Sequence, residues 1–159
     1  MSRQLVGKFH FLSAYCEAYL GHAKRRIHFD IGFGDIVVPE PLSLDFPVLL
    51  SDMPGPELIT YTPESAIAEK LEAITNLNFF TSRMKDFYDI YYLANNYKFK
   101  PNLLKEAIEM TFKNRGTDLK ARKILYDEKF KADKEKHQQW MAFLNRSKIN
   151  IDLSFREIN

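Results

Sequence analysis

Cysteine is nearly absent from this chain. Cys16 is the only one, so no intrachain disulfide can form, and a buried structural thiol in a reducing compartment is the expectation. Histidine is scarce as well: His10, His22, His28 and His137 are dispersed without ligand spacing, which argues against zinc. The six glycines form no Gly-x-Gly-x-x-Gly, no phosphate loop and no nucleophile elbow. No apolar run approaches the roughly 18 to 20 residues of a membrane span, and no apolar stretch follows basic residues at the amino terminus. A soluble cytoplasmic protein without a membrane partner is therefore expected. Charge of one sign is also lacking, because 23 basic and 21 acidic side chains leave a net +2. An argument for nucleic acid has to rest on local clusters.

What is present fits one folded unit. A chain of 159 residues can bury a real core but is short for two independent ones, and 45% hydrophobic with 28% charged residues is a globular balance. Aromatics are plentiful, with thirteen Phe and eight Tyr. Several cluster between Phe79 and Tyr97, so aromatic packing should dominate at least one layer of the core.

Strand signals come first. The run from Lys8 to Leu20 alternates with Phe9, Phe11, Tyr15 and Tyr19 on one face, and Gly21-His22 marks a turn. In the next run Ile27, Phe29, Ile31 and Phe33 point one way and His28, Asp30, Gly32 and Gly34 the other, completing an antiparallel hairpin. Pro39, Pro41, Pro47, Pro54 and Pro56 then deny the following segment a helix or a central strand and predict an extended surface connection. Thr62-Pro63 opens a helix to about Asn76, and a second should run from Thr81 or Ser82 to about Asn96. Pro101 opens a third that Gly116 ends. One or two further helices follow, with Phe130, Trp140, Phe143 and Leu144 inward, and the tail from Lys148 is expected to be a short strand or disordered. Strands before helices predict an α+β fold. The expected divisions are 1–61 for partial sheet and connection, 62–147 for the helical bundle and 148–159 for the tail, all within one compact unit.

The helix after Thr62 carries an apolar stripe of Ile67, Leu71 and Ile74, flanked by Ala66 and Ala73. Lys70 falls inside that stripe, where it either snorkels outward or reaches a buried anion, while Glu69 and Glu72 fall on the opposite, solvated side. The next helix gathers Arg83, Lys85, Asp86 and Asp89 at its start. Lys85 and Asp89, at i and i+4, can be a simple surface pair. Asp86 borders a second apolar patch through Ile90 and Leu93 and has Arg83 one turn before it, which reads either as a structural salt bridge or as part of a site. Asp30 shares a strand face with Gly32 and Gly34, so it is either a solvated residue beside glycine bulges or a metal ligand beside open backbone. A further basic cluster, Lys113, Arg115, Lys120, Arg122 and Lys123, is either an RNA-binding face or a solvated one.

The segments Phe29 to Asp35 (FDIGFGD), Thr62 to Ile74 (TPESAIAEKLEAI) and Ser82 to Ala94 (SRMKDFYDIYYLA), in this order and at this spacing, resemble the AbiEii/AbiGii toxin family of nucleotidyltransferases from abortive-infection and type IV toxin–antitoxin systems. The resemblance runs from about Tyr15 to Leu144. It implies a polymerase-β-like fold that uses Mg2+ to move a nucleotidyl group from a nucleoside triphosphate to an acceptor such as RNA, with an antitoxin protein as partner. Carried over residue by residue, Lys70 contacts the triphosphate and Asp86 is its acidic catalytic partner. Arg83 and Lys85 assist nucleotide binding, Asp89 supports them, and Asp30 matches the strand carboxylate that accompanies the metal pair. Family members also hold their metal with an Asp-x-Asp pair after a Gly-Gly or Gly-Ser turn, yet no aspartate precedes Asp30 here.

That departure implies that the amino-terminal half of the catalytic domain lies outside this sequence. One expectation is an enzyme part that acts only when the Asp-x-Asp half is supplied. The alternative is an inactive homologue that serves as a binding or interaction module. A hairpin without its neighbouring strands also predicts self-association through an exposed strand edge.

Overall fold

A computed structural model of the chain describes residues 10–48 and 50–159, and in it strands precede helices, as an α+β fold requires. The chain divides into two compact units, Met1–Ile36 and Val37–Asn159.

The first unit is the hairpin. Strand β1 (His10–Leu20) pairs antiparallel with β2 (Ala23–Phe33) across the Gly21-His22 turn, with Tyr15 opposite His28 and Leu12 opposite Ile31. Opposed residues of an antiparallel pair share a face. Tyr15 and Tyr19 do lie together, but on the polar face with Lys24, Arg26, His28 and Asp30. The apolar face joins Leu12, Ala14 and Cys16 to Ile27, Phe29 and Ile31. The Tyr15 ring stacks on His28 at 4.4 Å and takes the Arg26 guanidinium over its face at 4.0 Å, so it serves polar partners. Lys8 and Phe9 lie outside the described residues. Cys16, expected to be buried, is exposed, because it sits on an apolar face that stays half open, with Leu12 and Phe29 about half exposed.

The second unit begins with a ribbon. Strand β3 (Leu42–Asp45) pairs antiparallel with β4 (Glu57–Thr60), in the segment expected to be only an extended connection. Both are edge strands of a two-stranded sheet, and Pro41, Pro47 and Pro56 flank them without interrupting them, so proline's lack of an N–H is tolerated.

Helix α1 (Pro63–Leu77) starts as the sequence expects, with the Thr62 hydroxyl accepting from the Ser65 N–H at 3.2 Å. A 3-10 turn (Asn78–Phe80) leads to α2 (Met84–Asn96). Helix α3 (Pro101–Arg115) ends at Gly116, whose φ of 69° is the left-handed value that favours glycine. A second 3-10 stretch (Leu119–Tyr126), α4 (Glu128–Lys131), α5 (Lys134–Ser147) and α6 (Phe155–Ile158) complete the unit.

The core is aromatic, though its source differs from the expected one. Phe130, Trp140 and Phe155 are fully buried and Phe143 and Leu144 nearly so, whereas between Phe79 and Tyr97 only Phe87 is a buried aromatic. Phe80 is 90% exposed. The ring of Phe155 meets Phe87 edge-on at 5.2 Å and Phe130 at 5.7 Å. The tail is therefore neither strand nor disordered. Helix α6 closes the core, with Ser154 and Glu157 forming a capping box and the Trp140 indole N–H donating to the Leu153 carbonyl at 2.7 Å. Tail residues with little local periodicity gain their order from Trp140, which no local pattern encodes. Phe155→Ala should cost about 3–5 kcal/mol as a cavity opens between three helices. A urea midpoint unchanged from the parent would show that α6 is dispensable.

Candidate functional site

Helices α1 and α2 bring Lys70, Arg83, Lys85, Asp86 and Asp89 together. Asp86 and Asp89 are three residues apart, so both project from the face of α2 that meets α1. The Lys70 ammonium lies 3.1 Å from Asp86 Oδ1 and 2.5 Å from Asp89 Oδ2. It has therefore reached a partly buried anion and does not snorkel. Arg83 Nη1 holds the other Asp86 oxygen at 3.1 Å, and Lys85 Nζ shares Asp89 Oδ2 at 2.5 Å. The Lys70, Asp86 and Asp89 side chains are 24%, 11% and 20% exposed, while Arg83 and Lys85 stand in solvent. Two carboxylates thus bridge three cations, and the cluster carries a net +1.

The electrostatics agree with the geometry. Burial alone would lower the Lys70 pKa, but hydrogen bonds to Asp89 and Asp86 outweigh it and hold the ammonium above its ordinary value. Burial would likewise raise Asp89, but its hydrogen bonds from Lys70 and Lys85 hold the carboxyl below the usual range.

The opposite side of α1 was misjudged from sequence. Glu72, expected to be solvated, is only 1% exposed. Its oxygens accept from Arg115 Nη1 at 2.8 Å and from the Thr117 hydroxyl, and Arg115 also bonds Glu69. Helix α3 packs along that side and delivers Arg115 and Thr117 from its end, a contact no helical wheel of α1 contains. Burial raises the Glu72 carboxyl above its ordinary value, and the Thr117 hydrogen bond opposes the rise. Of the basic cluster around Arg115, the three lysines Lys113, Lys120 and Lys123 are exposed, while the two arginines are held by the fold. Arg115 is committed to two carboxylates, and Arg122 Nη1 donates to the Leu119 carbonyl at 2.9 Å.

A second feature missed from sequence steadies the start of α2. Lys136 of α5 is buried at 4% exposure and donates to the Thr81 carbonyl at 2.7 Å, with its ammonium over the Phe79 and Phe130 rings at 5.7 and 5.9 Å. Thr81 Oγ1 in turn accepts from the Arg83 N–H at 3.3 Å, so this ammonium fixes the turn that presents Arg83 and Asp86.

Asp30 belongs to the hairpin unit. Its Oδ1 accepts from the Ser13 hydroxyl at 2.8 Å and lies 2.8 Å from His28 Nε2, and the side chain is half exposed. Gly34 has a φ of 90°, a left-handed backbone value that favours glycine. Among the described residues no group of three or more His, Cys, Asp and Glu could hold a metal ion. Magnesium needs near-octahedral oxygen ligation from carboxylates that are free to give it. Both oxygens of Asp86 and one of Asp89 already serve cations, so this cluster as it stands does not fit a magnesium ion.

Lys70 on one helix thus faces the acids of an Arg-x-Lys-Asp-x-x-Asp segment on the next, and these are two of the segments that carry the sequence resemblance. The family model of the nucleotidyl transferase AbiEii toxin, of type IV toxin–antitoxin systems, matches residues 4–158. The chain belongs to the AbiEii family. Membership makes it a relative of nucleotidyltransferase toxins and implies an antitoxin counterpart. No curated protein and no solved structure matches the chain. Among the described residues no helix is long and apolar enough to cross a membrane.

Because the Asp89 carboxyl is held low, the stability it contributes is present above its unfolded pKa of about 3.9 and is lost as pH falls through its lowered folded value. Glu72 acts in the opposite sense, since a raised carboxyl gains stability on protonation. Comparing the parent with Asp89→Asn isolates the first effect. From about pH 6 to about pH 3 the variant should lose less urea stability than the parent. Equal losses would mean that Asp89 is not held by Lys70 and Lys85 in solution.

Proposed function

We propose that this chain carries the helical, nucleotide-facing part of an AbiEii nucleotidyltransferase. The supporting observation is the Lys70 ammonium held between two half-buried carboxylates of the adjacent helix. In the reaction an acceptor hydroxyl attacks the α-phosphorus of a nucleoside triphosphate. An oxygen–phosphorus bond forms as the hydroxyl gives up its proton to solvent, the bond from the α-phosphorus to the oxygen bridging it to the β-phosphate breaks, and pyrophosphate leaves with the bonding electrons. Lys70 places a point charge on the phosphates, and Arg83 and Lys85, exposed beside it, add charge as it accumulates on the leaving group. Asp86 fixes Lys70 and Arg83 in place. RNA is the proposed acceptor.

Magnesium, if bound, would neutralise phosphate charge and orient the reacting oxygens. We assign it to carboxylates outside this cluster, with Asp30 as the accompanying strand carboxylate. Activity on this reading requires an Asp-x-Asp pair supplied in addition to the residues described. A second reading, an inactive interaction module, is favoured by one observation: every member of the cluster already has a partner of opposite charge.

Calorimetric titration with ATP and magnesium separates the two. The full chain should bind nucleotide, and Lys70→Met should weaken binding at least tenfold, about 1.4 kcal/mol, while circular dichroism shows the fold retained. Absence of binding, or equal binding by the variant, would leave the interaction module as the function.

The hairpin's half-exposed apolar face, and outer edges that pair with no further strand among the described residues, support a further property. We expect the chain to self-associate through β1 or β2, giving a concentration-dependent sedimentation coefficient. A monodisperse monomer across the concentration series would refute pairing through that edge.

A further inference from the structure

Lys136 of α5 is buried, and among the described residues it makes no ion pair. Burying an ammonium is costly unless its protons are met, and a methionine would pack beside the Phe79 and Phe130 rings without that cost. What the charge adds is its hydrogen bond to the Thr81 carbonyl. Thr81 is fully buried and its three polar groups are all engaged: its N–H donates to the Asn78 carbonyl at 3.1 Å, its carbonyl accepts from Lys136, and its Oγ1 accepts from the Arg83 N–H. Helix α2 begins here without a cap of its own. Its N-cap residue is Arg83, whose side chain makes no capping hydrogen bond and reaches Asp86 instead. The start of α2 is therefore fixed from outside, through Thr81.

We propose that Lys136 is a positioning residue for the Lys70 cluster: through Thr81 it sets where the first turn of α2 holds Arg83 and Asp86, and thereby the affinity of that site for a nucleoside triphosphate. The affinity part rests on the nucleotidyltransferase reading; the placing of Asp86 does not. Lys136 donates to Thr81 and not to the cluster, so its action passes through the turn. Small movements matter there. The Lys70–Asp86 and Arg83–Asp86 contacts are both 3.1 Å, near the long end of the hydrogen-bond range, and a shift of about 0.5 Å takes them out of it. Asp89 lies one turn further on and is held by two ammoniums, so it depends less on how α2 begins. An apolar residue at position 136 would keep the aromatic layer but leave a buried carbonyl without its donor, and the turn would move to find another.

Lys136→Met in the full chain tests this, with Thr81→Val as a second variant that removes the hydroxyl link to Arg83. Calorimetric titration with ATP and magnesium, at a temperature where urea curves show each variant fully folded, should give about tenfold weaker binding for Lys136→Met. Thr81→Val should change it in the same direction. A residue that only stabilises the fold leaves the affinity of the folded variant at the parental value. Lys136→Met combined with Lys70→Met should bind no more weakly than Lys70→Met alone, because a residue acting through the partners of Lys70 then has nothing left to place. A second readout needs no nucleotide. In urea, the midpoint shifts of Lys136→Met and Asp86→Asn should add to more than the shift of the double variant, although the two side chains do not touch. Parental ATP affinity in both folded variants, or additive midpoint shifts, overturns the proposal. If the parent binds no ATP, the nucleotidyltransferase reading fails on its own, and the urea cycle decides whether Lys136 places Asp86. Should Lys136→Met not fold, Thr81→Val takes its place in both measurements.

Discussion

Helix α1 carries a charged clamp on each side, and the remainder of the helical unit is arranged around those two clamps. On one side Lys70 reaches Asp86 and Asp89 of α2, and on the other Glu69 and Glu72 take Arg115 from the end of α3. Removing charges this far from water is costly, and a buried pair stabilises a fold mainly by being broken at a greater cost than it was formed. What the clamps provide is register. A slip of α2 by one residue along α1 would carry Asp86 and Asp89 off the face that meets Lys70 and leave a half-buried ammonium alone. The apolar contacts of Ile74, Met84 and Phe87 are less exacting, since hydrophobic attraction has no preferred direction.

The carboxy-terminal segments finish what the clamps locate. Phe130, Trp140, Phe143 and Phe155 pack behind α1 and α2, and Lys136 runs through this aromatic layer to the Thr81 carbonyl. A buried ammonium with a carbonyl and two ring faces has found donors' work without a counter-ion. The consequence is mechanical: the turn before α2 is tied to α5.

How much of this could be read in the sequence depends on how local each cause is. Thr62-Pro63 and Gly116 set helix ends through their own hydroxyl, ring and left-handed backbone, so the limits of α1 and α3 were legible to within a residue or two. The pairing of β1 with β2 was legible for the same reason, since the turn fixes it. Glu72 was misread because its burial is decided by Arg115 and Thr117, more than forty residues away. The tail was misread because Trp140 and the rings of Phe87 and Phe130 order it, and neither leaves a mark on residues 148–159. For the candidate site, apolar periodicity placed Lys70 and Asp86 on helix faces, but only the resemblance joined them across two helices.

The saturation of the Lys70 cluster bears directly on how it would receive a phosphate. Lys70 cannot turn to an incoming anion without leaving Asp86 and Asp89, and two adjacent carboxylates stripped of their only cation would repel each other. Neither is stripped here. Asp86 keeps Arg83 and Asp89 keeps Lys85, so each acid retains a counter-ion when Lys70 is withdrawn. On the proposed reading this is the physical use of Arg83 and Lys85: they let Lys70 exchange a carboxylate for a phosphate at a small electrostatic cost. A purely structural bridge has no need of that reserve, because one cation between two helices already sets their register. The duplicated cations therefore weigh toward a lysine that is held ready rather than one that is merely buried.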